Sequence, residues 1–324
     1  MSRYGITIPV GDGPLGAQRE VVRELVDSGY TDLWSAEADG TDGFTPLVLA
    51  SQWAPEARLG VAVVPVFTRG PACLAQCVGS LAQAAPGRFV LGLGASSDVI
   101  VSRWNGIPFE KPYQRVRDTV RFLREAMSGE KVRREYETFS VDGFRLRVLP
   151  PEPVPILVAA LREGMLRLAG READGAILNW LSPDDVRKVV RVVEDAAQQA
   201  GSGSKEIVAR IFVAPSADAE SVRAMGRFAV AAYLNVPVYA AFHEWLGRGE
   251  LLGEMWRLWR EGDRKSATAA IPDRVVDDLI VHGPPEACRE RIMEYVEAGV
   301  DTPVLAILPS GMDPIDAARC LAPR

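Results

Sequence analysis

The fold class predicted for this 324-residue chain is α/β, a parallel (β/α)8 TIM barrel carrying insertions. Eight short alternating or β-branched runs are each followed by a helical pattern, the order that builds a parallel sheet with its helices outside. No dinucleotide-type motif opens the chain, and Gly92 to Gly94 lacks the third glycine of that fingerprint, which argues against a doubly wound sheet. No internal repeat, low-complexity segment or linker-like composition divides the chain. Residues 1–324 therefore read as one domain, with insertions near 129–154 and 235–272.

Residues 4–10 alternate as a first strand, the loop 11–16 turns, and 17–28 puts Val21, Val22, Leu25 and Val26 on one helical face before Gly29 ends it. A second strand covers 31–36, a polar loop 37–43, and a helix 45–53. Residues 59–66 form a third, strongly β-branched strand, and Pro71 opens a helix running to about residue 84 from a favoured starting position. The fourth strand, 88–94, is read as buried on both faces, and the run 92–97 after it loses its side-chain bulk. Small residues let backbone N–H groups approach a phosphate, and Ser96 and Ser97 add hydroxyl donors. A phosphate cradle and a tight turn both fit this stretch.

The helix 112–127 shows one apolar stripe, Val116, Val120, Leu123 and Met127, and is expected to pack on one face only. Charged and aromatic alternation between Gly129 and Pro155 predicts a hairpin insertion. Strand five covers 156–159, a short helix 164–169 and strand six 173–178. Ser182 and Pro183 open the next helix as N-cap and first-turn residue, and Gly201 stops it. Strand seven covers 207–213 and its helix 217–234. From 235 to 272 the repeat lapses, and Tyr239, Phe242, Trp245, Trp256 and Trp259 suggest a lid or, more in keeping with Trp-rich helices, a packing face. A capped helix over 285–298, an eighth strand over 303–308 and a helix over 314–321 complete the barrel.

Charged residues make up 25% and hydrophobic ones 48%, with mean hydropathy +0.02, the balance of a folded globular chain. With 37 basic against 43 acidic side chains the net charge is −6, so no basic excess serves nucleic acid or an anionic membrane. An anionic ligand must be held by local groups. Cys73, Cys77, Cys288 and Cys320 lack paired spacing and are expected to be reduced, buried thiols. No secretory or spanning run is present, so the expected location is cytoplasmic. His243 and His282 stand apart with no ligand-spaced companions, so no metal site is expected.

Ordered landmarks then become specific. They are Trp34-Ser35-Ala36-Glu37 after Gly29-Tyr30, Arg58-Leu59-Gly60 with Thr68-Arg69-Gly70-Pro71, Gly87-Arg88-Phe89 running to Gly94, Leu168-Ala169-Gly170 with Ala173-Asp174-Gly175, and His282 to Glu286. Together they resemble the bacterial luciferase-like superfamily from about residue 3 to 310. The stretch from Pro155 to Asn179, with Ala159 to Met165, is most similar to the coenzyme F420-dependent oxidoreductase branch. The resemblance implies a luciferase-like barrel, a homodimer, hydride transfer between F420 and a small-molecule substrate, and FMN as the alternative cofactor. It implies further that Ala62, Val63 and Val64 back the deazaflavin ring, with a non-prolyl cis peptide at Ala62–Val63 in a supporting bulge. Gly94, Ala95, Ser96 and Ser97 would meet the cofactor tail on one side. Ala159, Ala160, Leu161, Arg162, Glu163, Gly164 and Met165 would meet it on the other.

Departures bear on substrate. Where sugar-phosphate and alcohol dehydrogenase branches carry a His after the acid ending strand two, Ala38 follows Glu37, and Ser97 stands where the sugar-phosphate branch carries a Glu. Glu37 and Asp39, at a barrel strand's C-terminal end, are the candidate catalytic carboxylates, with loop solvation or capping as their plain structural alternative. Two further readings stay open: an FMN-dependent luciferase-like monooxygenase, and a flavin- or deazaflavin-binding protein without turnover.

Overall fold

The computed structural model describes residues 3–309 and 311–323. Its strands are β1 (Gly5–Thr7), β2 (Asp32–Ser35), β3 (Arg58–Pro65), β4 (Phe89–Gly94), β5 (Val132–Glu135), β6 (Ser140–Phe144), β7 (Ile156–Ala159), β8 (Gly175–Asn179), β9 (Glu206–Pro215), β10 (Ile280–Gly283) and β11 (Thr302–Ile307). Parallel pairing runs β11-β1-β2-β3-β4-β7-β8, and β9 bridges β8 back to β11. This closes the (β/α)8 barrel expected from the sequence. Helices Thr45–Trp53, Pro71–Ala84 and Pro112–Met127 keep the expected bounds.

One strand was not anticipated. β10 pairs Ile280 to Gly283 with Phe212 to Pro215, whereas β8 pairs with β9 only as far as Asn179 and Arg210. A four-residue run following directly on the helix Asp273–Leu279 carries no periodicity of its own; it becomes a strand because β9 outlasts β8 and leaves an edge to be paired.

Period-two alternation divides the core. Trp34, Val90, Leu157, Ile177, Val208 and Val304 fill the barrel interior, while a larger shell lies between strands and helices. Gly60 makes room for the indole, since a Cβ there would sit 2.4 Å from Trp34 ring atoms. At the foot, Arg58 donates to both Glu206 carboxylate oxygens at 2.6 Å and to Asp32 at 3.2 Å, and the Thr302 hydroxyl donates to Glu206 at 3.0 Å. A packed, ion-paired lower barrel leaves ligand chemistry to the strands' C-terminal ends.

The hairpin β5–β6 forms antiparallel as expected. It changes the account of the helix Pro112–Met127, which is buried on two sides rather than one. Beside Val116, Val120 and Leu123, Phe122 packs edge-on against Tyr136 and Phe139, and buried Asp118 accepts from the Thr138 N–H and hydroxyl, both at 3.0 Å. The second insertion forms helices Pro237–Trp245, Gly249–Arg260 and Arg264–Ala269. Leu252, Met255 and Trp256 pack with Trp180 and Phe212, so it is a packing face over β8 and β9. All four cysteines are free, but only Cys288 is buried: Cys77 and Cys320 are half-buried, and Cys73 is exposed because it lies on the solvent side of its helix. Among the described residues no helix is long and apolar enough to cross a membrane, and no cluster suited to a metal occurs.

Candidate active site

At the mouth, β3 shifts register against β4 between Val61 and Val64, and the Ala62–Val63 peptide is cis. Ala62 and Val63 pack onto the interior cluster. Gly94 faces them: a Cβ there would lie 2.6 Å from Val63 Cγ2 and 3.2 Å from the Ala159 Cβ. The fold thus brings together Val63, Gly94 and Ala159 from β3, β4 and β7, and keeps the wall between them bare. Val64 and Ala160 are fully buried in the outer shell, behind the surface that Val63 and Ala159 present at the mouth.

Ala95, Ser96 and Ser97 are half-buried, and Ser96 holds the left-handed conformation at φ 66°. Ser97 Oγ accepts from the Ile100 N–H at 3.4 Å, and its carbonyl accepts from Val101, which starts the turn Val99–Trp104. Across the mouth, Leu161 and Arg162 lead into the helix Glu163–Glu172, whose first intrahelical bond runs from Leu166 to the Arg162 carbonyl. The N–H groups of Glu163, Gly164 and Met165 are left without intrahelical partners, as at any helix start. Glu163 pairs with Arg167 at 2.6 Å, while exposed Arg162 makes no ion pair among the described residues. Bare backbone, free N–H groups and an unpaired cation suit an anionic tail.

The candidate acids differ. Glu37 Oε1 lies 2.5 Å from Arg69 Nη1, and Oε2 accepts from the Gly43 N–H at 2.7 Å. Arg69 also stands over the Phe44 ring. Burial works against the charge on Arg69, but the hydrogen bond and charge of Glu37 raise its pKa above the ordinary value. Asp39 is exposed and makes no hydrogen bond or ion pair among the described residues. One carboxylate is built into the mouth and the other stands in solvent.

Two inward polar residues escaped the sequence reading. Ile177 and Val208 lie in the interior cluster, so Asn179 and Arg210, two residues further along β8 and β9, also face inward. The signal was present: Arg210 is the single charge within Ile207-Val208-Ala209-Arg210-Ile211-Phe212-Val213.

A closed parallel barrel with a bulged apolar wall, a bare strand end and a free helix start at its mouth defines a ligand-binding (β/α)8 enzyme. The luciferase-like monooxygenase family model matches residues 3–302, and the chain belongs to that family. Among similar proteins, a 5,10-methylenetetrahydromethanopterin reductase of Archaeoglobus fulgidus is 27% identical, over 90% of this chain and 89% of its own. The solved coenzyme F420-dependent tetrahydromethanopterin reductase of Methanopyrus kandleri superposes with TM-score 0.82 at 20% identity, covering 99% of this chain and 97% of that one. An F420-dependent secondary alcohol dehydrogenase, solved with an F420–acetone adduct, superposes with TM-score 0.78 at 17% identity, covering 99% of each chain.

Proposed function

We propose that this chain is a coenzyme F420-dependent oxidoreductase acting on a small organic substrate. The observation that carries the reading is the meeting of Val63, Gly94 and Ala159, where the absent Cβ of Gly94 keeps a flat wall beside the free N-terminus of the helix Glu163–Glu172. The F420-dependent relatives support the choice of cofactor.

When bound, the deazaflavin supplies a two-electron hydride donor or acceptor. Ala62 and Val63, with Val64 buried behind them, would back its ring; Gly94 to Ser97 and Ala159 to Met165 would hold its tail, with Arg162 offering a fork of donors to the anionic part. Glu37, fixed by Arg69 and Gly43, and Asp39 are the carboxylates at the mouth that would exchange the matching proton at their side-chain oxygens. Homodimeric assembly and a cytoplasmic location belong to the same reading.

Titration of the purified chain with oxidised F420 and with FMN, followed by fluorescence, tests the assignment. F420 should bind more tightly and change its emission. Tight FMN binding with no detectable F420 binding would overturn it, and F420 binding without substrate-dependent absorbance change across a broad panel would favour a carrier.

A further inference from the structure

We propose that Arg210, with Asn179 and Tyr239 beside it, forms an anion-receiving pocket on the barrel's inner wall that anchors a carboxylate of the organic substrate. That the anion's bearer is the substrate rests on the oxidoreductase reading above; the pocket itself rests on geometry.

Asn179 and Arg210 are the last register pair of β8 and β9 before β10 takes over the edge of β9, and Trp180 turns the chain there with φ 54°. Both side chains carry buried polar atoms without a partner, Nε of Arg210 and Oδ1 of Asn179. Among the described residues no ion pair or hydrogen bond reaches the Arg210 side chain, whose guanidinium sits 5.2 Å from the Phe212 ring centroid. Other arginines within the fold are neutralised: Arg58 by Glu206 and Asp32, and buried Arg248 by Asp185 at 2.8 Å and Asp278 at 3.6 Å. A half-buried guanidinium whose fully buried Nε has neither a carboxylate nor a hydrogen-bond partner lowers stability, and in a fold that satisfies Arg58 and Arg248 with carboxylates and Arg88 and Arg115 with backbone carbonyls it points to an anion supplied from outside.

The neighbours suit that ligand. Asn179 Nδ2 donates to the Tyr239 hydroxyl oxygen at 3.2 Å, which leaves the phenolic proton free to donate. Burial raises the Tyr239 pKa, keeping that proton on the oxygen. Burial lowers the Arg210 pKa, with only the phenols of Tyr233 and Tyr239 acting the other way and no carboxylate contributing. A guanidinium so placed stays cationic and offers paired donors that match a carboxylate. Tyr239 comes from the second insertion, so that packing face also completes the pocket.

Calorimetric titration of the full chain, with and without F420, against paired probes tests this: lactate with lactamide, and benzoate with benzamide. Each carboxylate should bind at least about tenfold more tightly than its amide, the scale of one charge-assisted contact. Arg210→Met should abolish that preference and Arg210→Lys retain part of it, while F420 affinity stays unchanged and the melting temperature of Arg210→Met does not fall. A wild-type chain that does not distinguish acid from amide, a preference that survives Arg210→Met, or a variant that loses F420 affinity instead would each overturn the pocket. An Arg210-dependent preference in a chain that fails to bind F420 would uphold the pocket and remove the oxidoreductase reading alone.

Discussion

Glu37 and Arg69 form an ion pair of 2.5 Å that ties the loop after β2 to the loop after β3, and the second carboxylate oxygen secures Gly43 in the same loop. A carboxylate held this way has a defined position at the mouth, whereas Asp39 has none. Glu37→Gln is therefore expected to lower turnover roughly 10²-fold with F420 affinity nearly intact. It should also cost about 2 kcal/mol of stability by leaving Arg69 unpaired. Asp39→Asn is the paired control. Wild-type turnover in both variants would remove these carboxylates from the proton step.

Gly92 and Gly94 lie on one strand and should respond differently to the same change. A Cβ on Gly92 would meet the Val61 carbonyl oxygen at 2.0 Å, whereas on Gly94 the first obstacle is a Val63 methyl. Backbone cannot yield as a side chain can. Gly92→Ala is expected to destabilise by about 3 kcal/mol, while Gly94→Ala keeps most of its stability and weakens F420 about tenfold. Urea melts combined with cofactor titration separate the two, and equal stability losses would contradict the assignment of Gly94 to the ligand wall.

Arg58→Met should destabilise without touching the cofactor. It strands Glu206 and Asp32 at the barrel foot, and breaking a largely buried pair costs about 3–5 kcal/mol. Burial opposes the charge on Glu206, yet the hydrogen bond and charge of Arg58, with the Thr302 hydroxyl, hold its pKa below the ordinary value. The stability this supplies is present above the unfolded carboxylate range and is lost as pH falls through the depressed folded value. Wild-type acid resistance in Arg58→Met would refute this account.

His243 makes a separate pH prediction. Burial first, and then nearby Arg248, lower its pKa to about 3, with Asp185 and the Trp180 backbone acting the other way. Between the unfolded value near 6.5 and that lowered value the unfolded chain binds the extra proton, so stability falls as pH falls. Well below pH 6.5 the loss approaches about 1.4 kcal/mol per pH unit. His243→Leu should flatten this slope between pH 6.5 and 5, a window above the carboxylates' titration. Parallel slopes for both proteins in denaturant melts would exclude His243 as the source.

Local pattern carried most of the architecture. The bounds of Thr45–Trp53, Pro71–Ala84 and Ile156–Ala159 follow from apolar period, from Pro at helix starts and from β-branched runs, all of which act over a few residues. The small residues of Gly92 to Ser97 marked the mouth because loss of bulk is itself a sequence property. Tertiary contacts supplied the rest. The partner of Glu37 lies 32 residues away, the second face of Pro112–Met127 appears only when the hairpin folds over Phe122, and β10 exists only as pairing for β9. Arg210 was visible as a charge in an apolar strand, but whether a strand residue faces the barrel or its helices depends on closure through β8 and β11. That its side chain has no carboxylate or hydrogen-bond partner among the described residues is a property of everything that could have reached it, which a local pattern does not contain.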